Sequence, residues 1–187
     1  DSLSSNELER LDVSNFPLVL LFRSLPNGMS ASNVTLDNVN GARDAVNHLI
    51  QDSGKRRIGF LRELLENEDS IQRESGYRQA LQSHDIDIDE SLIALGEPQS
   101  GDSWPVLDKW LAQPDPVDAI FADCDTLAVR VLDYLNRINI RIPEQVALVG
   151  FDDLTLARHL NPPLSTVRSP IIEAGRTAIE LLVEQIS

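Results

Sequence analysis

The segment Val146–Arg168 constrains the fold of this chain more than any other stretch of its sequence. Val146–Gly150 is an apolar run of strand length, and Asp152 and Asp153 follow it closely. A strand without polar alternation is typical of a parallel sheet that is covered on both faces. Ligands of such sheets bind beyond the carboxyl ends of the strands, which is where the two aspartates fall. The segment therefore predicts a parallel α/β fold with a ligand site at Asp152.

The residues after this strand predict a second strand and a helix. Asn161-Pro162-Pro163 disfavours helix and leads into a short strand at Leu164–Val167. Ser169-Pro170 is predicted to cap a helix that continues to Ile186, because serine accepts from free helix N–H groups and proline suits the first helical position. This order of elements predicts a hinged ligand-binding domain.

The rest of the chain alternates short apolar segments with segments of helical periodicity. Helices are predicted after Asp37, after a cap at Ser70, from Trp104 to Leu111 and along Leu127–Ile138. The predicted strands are Phe16–Phe22, Val34–Leu36, Ile58–Leu61, Leu92–Leu95 and Ala119–Ala122. Alternation at these lengths is typical of right-handed βαβ units, so the predicted fold class is α/β with a mostly parallel sheet.

Phe16–Phe22 has the sequence FPLVLLF and is apolar at consecutive positions, which predicts a strand buried on both faces. Such a strand needs neighbours on both sides, and no segment before it supplies one. We therefore expect the chain to be the later part of a longer protein, with several strands preceding Asp1.

The charge balance limits the partners of the chain. With 30 acidic and 16 basic residues among 187, the formal net charge is -14. DNA and anionic membrane surfaces should repel such a chain, and the basic run Lys55–Arg57 is interpreted as a solvated loop. The single cysteine excludes an intrachain disulfide and is compatible with a reducing cytoplasm. No apolar run has the length of a membrane span.

Carboxylates at strand ends and helix starts are the first candidate site residues, because these positions converge at one end of a parallel sheet. The candidates are Asp37, Asp123, Asp125, Asp152 and Asp153. Each could instead cap a helix, since acidic residues at helix starts also satisfy free N–H groups and the helix dipole.

Arg73 is a candidate of a different kind. It is predicted in the first turn of a helix, where a positive charge is unfavourable. It therefore either points at a ligand hydroxyl or carboxylate, or pairs at the surface with Asp69 or Glu74.

The sequence gives less support for aromatic stacking on a ligand or for catalysis than for the carboxylate and arginine candidates. Trp104 and Trp110 could stack on a sugar face, but Trp110 lies on the apolar side of its helix and is interpreted as core, while Trp104 could be core or rim. Cys124 is interpreted as a small buried side chain. The three histidines form no metal-binding pair, and no nucleophile or phosphate-binding motif occurs, so we expect no enzyme, no metal and no cofactor.

Longer segments match a known family. The segment VALVGFDDLTLARHLNPPLSTVRSPIIEAGRTAIELL resembles the closing signature of the lactose/galactose-repressor (LacI/GalR) family of bacterial transcription regulators. The segments VTLDNVNGARDAVNHLI, RRIGFL, RESGYRQAL, DAIFADCDTLAVRVL and IRIPEQVALVGFDD match in the same order. The resemblance extends from Phe16 to Ile186.

The resemblance implies a type I periplasmic-binding-protein-like fold, in which helices flank parallel sheets in two subdomains. Residues 1–35 and 167–187 would belong to an N-terminal subdomain that is incomplete here, and residues 36–166 to the C-terminal one. It also implies a homodimer and an N-terminal helix-turn-helix headpiece that contacts operator DNA and lies outside this chain.

The resemblance also implies which residues bind the effector. Arg73 and Asp152 stand where family members place the arginine and aspartate that grip it, and Asp125 matches the aspartate of an Asn-Asp pair. Cys124 replaces the asparagine of that pair and removes an amide that often contacts the ligand. Phe22 stands where many members carry an aspartate, which predicts an apolar wall.

Two further positions concern the dimer. Val129 and Leu160 stand at positions that meet across the two-fold axis of the family. Val129 also lies off the apolar stripe formed by Leu127, Val131 and Leu135, so its exposure would need a partner.

These features together predict the ligand-sensing and dimerisation domain of a cytoplasmic transcriptional repressor. A sugar or related small molecule would bind in the cleft between the subdomains, and closure would be transmitted to the DNA headpiece. A periplasmic solute-binding protein of the same fold is the alternative. An enzyme is less favoured, because no nucleophile–base pair is present.

Overall fold

The computed structural model describes residues 4–13, 16–63, 67–96 and 104–187. The chain forms two compact units, of which the first comprises Asp1–Asp37 and Pro170–Ser187 and the second Asn38–Ser169. The subdomain boundaries expected from the sequence, after residues 35 and 166, lie a few residues before these.

Helices and strands alternate along most of the chain. The helices are α1 (Ser5–Val13), α2 (Asn38–Gln51), α3 (Glu68–Ser83), α4 (Pro105–Leu111), α5 (Asp125–Arg137) and α6 (Ile171–Ile186). The strands are β1 (Val19–Leu21), β2 (Ser32–Val34), β3 (Ile58–Arg62), β4 (Ile93–Leu95), β5 (Ala119–Ala122), β6 (Ala147–Asp152) and β7 (Ser165–Arg168). Short 3₁₀ helices at Glu90–Leu92 and Thr155–His159 precede β4 and β7.

The second unit is built around a five-stranded sheet of order β4-β3-β5-β6-β7, here called the main sheet. All of its strand pairs are parallel, as the sequence predicted. The carboxyl ends of the strands therefore lie together at one end of the sheet, called the carboxyl end, and the residues before the strands lie at the amino end. The central strand β5 is buried at every position, which explains its unbroken apolar sequence.

Helices cover both faces of the main sheet. Successive residues of a strand point to opposite faces, so each strand contributes to two cores. The core formed with α2 and α3 contains, from the strands, Ile58, Phe60, Ala119, Phe121, Ala147, Val149 and Phe151. The core formed with α4 and α5 contains, from the strands, Leu61, Ile120, Ala122 and Leu148. This three-layer arrangement confirms the predicted α/β class.

The first unit contains a two-stranded parallel sheet of β1 and β2. The prediction of a strand over Phe16–Phe22 that is buried on both faces is wrong. Only Val19–Leu21 is strand, and Leu20 is 7% exposed whereas Phe16 is 59% and Leu21 41% exposed. Within the described residues β1 pairs with β2 alone, so the apolar run is covered by few neighbours.

The start of α3 differs from the prediction that Ser70 caps it. Asn67 is the N-cap residue, and its side chain accepts a hydrogen bond from Ser70 N at 2.8 Å. The helix therefore begins at Glu68, and Arg73 lies in its second turn rather than its first. Both Asn and Ser suit a cap, and local sequence does not choose between them.

The start of α6 also differs from the prediction. Pro170 occupies the N-cap position without a side-chain cap bond, and the helix runs over Ile171–Ile186. The Ser169 hydroxyl donates to Asp152 instead of accepting from an N–H group of the helix start. Among the helices of the described residues, α6 included, none has the length and apolar character needed to cross a membrane.

Candidate functional site

The carboxyl end of the main sheet gathers an arginine and several carboxylates within the second unit. Asp123 follows β5, Asp152 is the last residue of β6, and Arg73 comes from α3. Arg73 Nη2 lies 3.4 Å from Asp152 Oδ1, so the structure brings together the two residues that the sequence predicted to act as a pair. Their side chains are 7% and 29% exposed, so a ligand can reach the pair from the Asp152 side.

Arg73 is clamped by protein groups on several sides. Its Nε donates to Asn38 Oδ1 at 2.9 Å, and its Nη1 donates to the Asp123 carbonyl at 2.5 Å. The guanidinium carbon lies 3.9 Å from the centroid of the Phe151 ring, at cation–π distance. The residue is 6% exposed, so the alternative of a surface position is wrong, although the Asp69 of that alternative does lie 4.0 Å from Arg73 Nη2. Its remaining nitrogen, Nη2, faces the carboxylates of Asp152 and Asp69.

Asp152 is presented by a backbone turn that side chains rarely adopt. The φ angles of Asp152 and Asp153 are 119° and 55°, and both residues carry a Cβ atom. Positive φ is unfavourable for such residues and persists where surrounding contacts hold it in place. The Ser169 hydroxyl supplies one such contact by donating to Asp152 Oδ1 at 3.3 Å.

Asp125 supplies further contacts to this turn. Its Oδ2 accepts from Leu154 N at 2.8 Å, and its Oδ1 accepts from Thr166 Oγ1 at 2.6 Å. Thr166 Oγ1 in turn accepts from Asp153 N at 3.2 Å. A Cβ atom at Gly150 would lie 2.3 Å from Asp125 Oδ1, so this contact requires glycine. Asp125 is fully buried with both oxygens engaged, which makes it a positioning residue for the turn that carries Asp152.

Asp123 contributes its carbonyl to the contacts that hold Arg73, and its side chain is a buried carboxylate. It is 3% exposed, and its Oδ2 accepts from Ser70 Oγ at 2.6 Å and from Glu63 N at 3.0 Å. Its Oδ1 is buried and has no hydrogen-bond partner among the described residues. A buried carboxylate oxygen without a donor is costly, so this atom marks a place where a further positive group would be favourable.

The electrostatics of the site follow from burial. Burial raises the pKa values of Asp123, Asp125 and Asp152 above the ordinary 3.8, because the charged form loses hydration. The nearby positive charge of Arg73 acts in the opposite direction on Asp123 and Asp152. Asp153 is the exception, since hydrogen bonds from two arginine side chains lower its pKa.

Cys124 and Phe22, the two departures from the family pattern, lie in different units. Cys124 is the N-cap of α5, where its Sγ accepts from Leu127 N at 3.4 Å, and burial raises the pKa of its thiol. Phe22 ends the apolar run of the first unit with φ 56°, and its N–H donates to Val34 O at 2.8 Å. Their contacts with an effector stay predictions.

The two tryptophans belong to the core. Trp104 and Trp110 are 2% and 0% exposed, which confirms the core interpretation of Trp110 and decides the open case of Trp104. The Trp110 indole donates to Ser91 O at 2.8 Å, and Trp104 lies under the Arg130 guanidinium at 5.4 Å. Neither ring presents a free face to a sugar.

The predicted dimer residues are Val129 on α5 and Leu160, and the segment that leads to Leu160 carries two exposed leucines. Val129 and Leu160 are partly buried, and Leu160 packs against the core that contains α4 and α5. Leu154 and Leu156, in the turn that follows β6, are 43% and 53% exposed. The proposed interface stays a prediction.

The sequence did not identify several residues that shape the site. Asn38, Ser70, Phe151 and Ser169 each contact Arg73, Asp123 or Asp152. Their signal was weak, because polar residues at element starts also suit caps and Phe151 also suits a core strand. Each of their partners belongs to a different element, so these contacts are found only in the three-dimensional structure.

Comparisons with known proteins agree with this architecture. The model of the periplasmic binding protein-like domain family matches residues 46–187. The HTH-type transcriptional regulator CelR of Thermobifida fusca is 33% identical over 182 residues, covering 96% of this chain and 53% of the relative. GalS of Salmonella typhimurium, also an HTH-type transcriptional regulator, is 38% identical over 169 residues, covering 89% and 48%. The chain thus spans about half the length of these curated relatives.

Solved structures show the same fold. A sugar-binding transcriptional regulator of the LacI family from Escherichia coli, complexed with phosphate, matches with a TM-score of 0.85 and 31% identity, covering 100% of this chain and 67% of that one. The complex of the transcriptional regulator CelR with cellobiose matches with a TM-score of 0.81 and 34% identity, covering 96% and 55%. The chain therefore belongs to the LacI/GalR family of transcriptional regulators and carries its periplasmic-binding-protein-like domain.

Proposed function

We propose that this chain is the effector-sensing and dimerisation part of a transcriptional repressor, and that its effector is a sugar or a related small metabolite. The observation that carries the proposal is the Arg73–Asp152 pair, in which a clamped guanidinium lies 3.4 Å from a partly exposed carboxylate. The names of two relatives, a sugar-binding regulator and a regulator bound to cellobiose, support the ligand class.

The chemistry of the pair suits a polyol. Arg73 offers N–H donors in a rigid fork, and Asp152 offers acceptor oxygens. A vicinal diol can accept from the guanidinium through one hydroxyl and donate to the carboxylate through the other. Both protein groups are held before the ligand arrives, Arg73 by Asn38 and Asp152 by the turn that Asp125 secures. Such preorganisation lowers the entropic cost of binding.

The signal passes to DNA through a change of conformation. An effector that binds two conformations with different affinity shifts their populations, and the conformations differ in affinity for operator DNA. Contact with DNA requires a helix-turn-helix headpiece elsewhere in the full-length cytoplasmic protein, because a net charge of -14 disfavours binding of a polyanion by this chain. The HTH-type names of the relatives favour this function over a solute-binding protein or an enzyme.

Titration of the full-length protein tests the site. A thermal-shift screen of sugars, nucleosides and phosphosugars first finds a ligand, since a ligand at a hundredfold over its Kd adds about 2.7 kcal/mol of stability. Asp152→Ala should then lose about 1.5–3 kcal/mol of affinity by calorimetry, the scale of a hydrogen bond to a charged group. Asp133→Ala, on an exposed part of α5, is the matched control. Unchanged affinity in both Asp152→Ala and Arg73→Lys would exclude this site.

The dimer is tested separately. Val129 and Leu160, with the exposed Leu154 and Leu156, form the proposed interface. Charged substitutions at Val129 and Leu160 should convert a sedimentation-defined dimer into monomers, because charges are unfavourable in an apolar interface. A dimer that persists in both variants would place the interface elsewhere.

A further inference from the structure

The carboxylates around Arg73 outnumber the positive charge that faces them. Arg73 Nη2 lies 3.4 Å from Asp152 Oδ1 and 4.0 Å from Asp69 Oδ2. Its Nη1 donates to the carbonyl of Asp123, whose own carboxylate is 3% exposed. One guanidinium therefore faces the carboxylates of Asp69 and Asp152 and also acts on the charge of Asp123. A neutral or anionic ligand would leave this excess of negative charge in place.

In Asp69, Asp123 and Asp152, one of the two carboxylate oxygens has no hydrogen-bond donor among the described residues. The other oxygen accepts a side-chain hydrogen bond. In Asp123 the oxygen without a donor is also buried. Asp69 and Asp152 are 33% and 29% exposed in their side chains, so their oxygens can be reached by a ligand.

The pKa values agree with an uncompensated site. Burial raises the pKa of Asp123 and of Asp152, although the positive charge of Arg73 works against the increase in both. The charged forms are therefore less stable here than in water, and a bound cation would offset that loss. A bound anion would add to it.

We propose that the effector is a polyhydroxylated amine, such as an amino sugar, whose ammonium group binds Asp69 and Asp152 while its hydroxyl groups accept from Arg73. This inference rests on the proposed function, because it names the chemical class of that effector. An ammonium group has donors and no acceptor, which matches the available carboxylate oxygens. Asp123 is a specificity residue that acts through its buried charge rather than by contact, and phosphorylated sugars are disfavoured.

Calorimetry with matched ligands tests the class. The full-length protein is titrated with glucose, galactose and mannose, with their 2-amino-2-deoxy forms and with their 6-phosphates. An amino sugar should bind at least tenfold more tightly than the corresponding neutral sugar, a difference of about 1.4 kcal/mol. The 6-phosphate of the neutral sugar should show no detectable binding. A neutral sugar or phosphate that binds as tightly as the amine, or a series in which no amine binds, would overturn the inference.

Two variants assign the preference to residues. Asp69→Asn and Asp123→Asn should each reduce the preference for the amino sugar over its neutral counterpart by about tenfold, since the substitution removes the negative charge. Asp133→Asn on the surface is the control, and thermal melting verifies that Asp123→Asn folds. Asp69 is partly exposed, so we expect Asp69→Asn to fold. Asp69→Asn therefore still tests the assignment if Asp123→Asn does not fold. Retained preference in the folded variants would refute the assignment.

The outcomes separate this inference from the proposed function. Neutral-sugar binding that depends on Asp152 but shows no preference for an amine would leave the proposed function standing and remove the inference. Amino-sugar binding that is unchanged in both Asp152→Ala and Arg73→Lys would remove the site itself.

Discussion

Arg73 and Arg57 lie at opposite ends of the main sheet and have different surroundings. Arg73, at the carboxyl end, has a side chain that is 7% exposed and a guanidinium clamped by protein on several sides. Arg57, at the amino end, is 26% exposed, donates to Gln113, and lies 3.3 Å from Asp89 and 3.9 Å from Asp115. The comparison shows that burial, rather than the number of ion pairs, distinguishes the proposed site.

The carboxylates at the two ends differ in the same way. At the amino end Asp118 accepts from the N–H groups of Arg56 and Arg57 at 2.9 and 3.0 Å, and Asp89 accepts from the backbone and hydroxyl of Ser91. These bonds secure loops. A cavity of about 310 Å³ lies there too, and two of its acidic lining residues, Asp89 and Asp118, already accept hydrogen bonds. At the carboxyl end Asp123 Oδ1 is a buried carboxylate oxygen without a donor, and at the amino end Arg57 Nε is a buried donor without an acceptor, in both cases among the described residues. The two ends therefore favour added groups of opposite charge.

The largest expected effect compares the two arginines. Arg73→Ala should lower the free energy of unfolding by about 3–5 kcal/mol, because it leaves the buried Asp123 and the partly buried Asp152 without their cation. Arg57→Ala should cost about 1 kcal/mol or less, since its partners are partly exposed to water. Urea denaturation of both variants measures the difference. Equal losses of unfolding free energy in the two variants would mean that the greater burial of Arg73 does not make its ion pairs more important than those of Arg57.

The next effect compares two hydroxyl groups that donate to aspartates. Thr166→Val removes a part-buried hydrogen bond to the fully buried Asp125 and should cost about 1.5–3 kcal/mol of unfolding free energy. Ser91→Ala removes an exposed bond to Asp89 and should cost about 0.5 kcal/mol or less. Thr166→Ser keeps the hydroxyl and is the control for lost packing. A Thr166→Val protein as stable as Thr166→Ser would contradict the positioning role of Asp125.

The dependence of stability on pH should have opposite signs at the two ends. The pKa of Asp123 is raised by burial, so its contribution to stability is complete below the ordinary 3.8 and is lost as pH rises through the raised value. The pKa of Asp89 is lowered by its hydrogen bonds with Ser91, so its contribution is present above 3.8 and is lost as pH falls through the lowered value.

Denaturation of Asp123→Asn and Asp89→Asn across the acidic range measures these signs. The stability of the unsubstituted protein relative to Asp123→Asn should fall as pH rises, and relative to Asp89→Asn it should increase. The same slope in both comparisons would show that the two carboxylates lie in similar environments.

The smallest expected effect concerns Asp115, whose side chain is 88% exposed and 3.9 Å from Arg57 Nε. Asp115→Asn should change the unfolding free energy by less than about 0.5 kcal/mol, because water screens such a pair. Effector affinity should not change, since the residue lies at the amino end. A calorimetric affinity that differs from the unsubstituted protein would connect the amino end to the site.

The hydrophobic pattern predicted the elements of the second unit well. The strand predicted over Ala119–Ala122 has these bounds in the structure, and Leu127, Val131 and Leu135 lie in the core as their spacing indicated. Such patterns are local, because the period of a strand or a helix depends on residues close in sequence. Phe16–Phe22 failed as a buried strand because burial also depends on the strands that pair beside it, which the pattern does not specify.

The sequence by itself determined the α/β class, the parallel main sheet, the family, and the candidates Arg73 and Asp152. Tertiary structure decided what each polar residue does. Asp125 accepts from Thr166, 41 residues away, and so positions a turn, whereas Ser70 donates to Asp123 over 53 residues instead of capping its own helix. The physical reason is that a buried polar group takes the partner that is nearest in space, and sequence distance does not fix that partner.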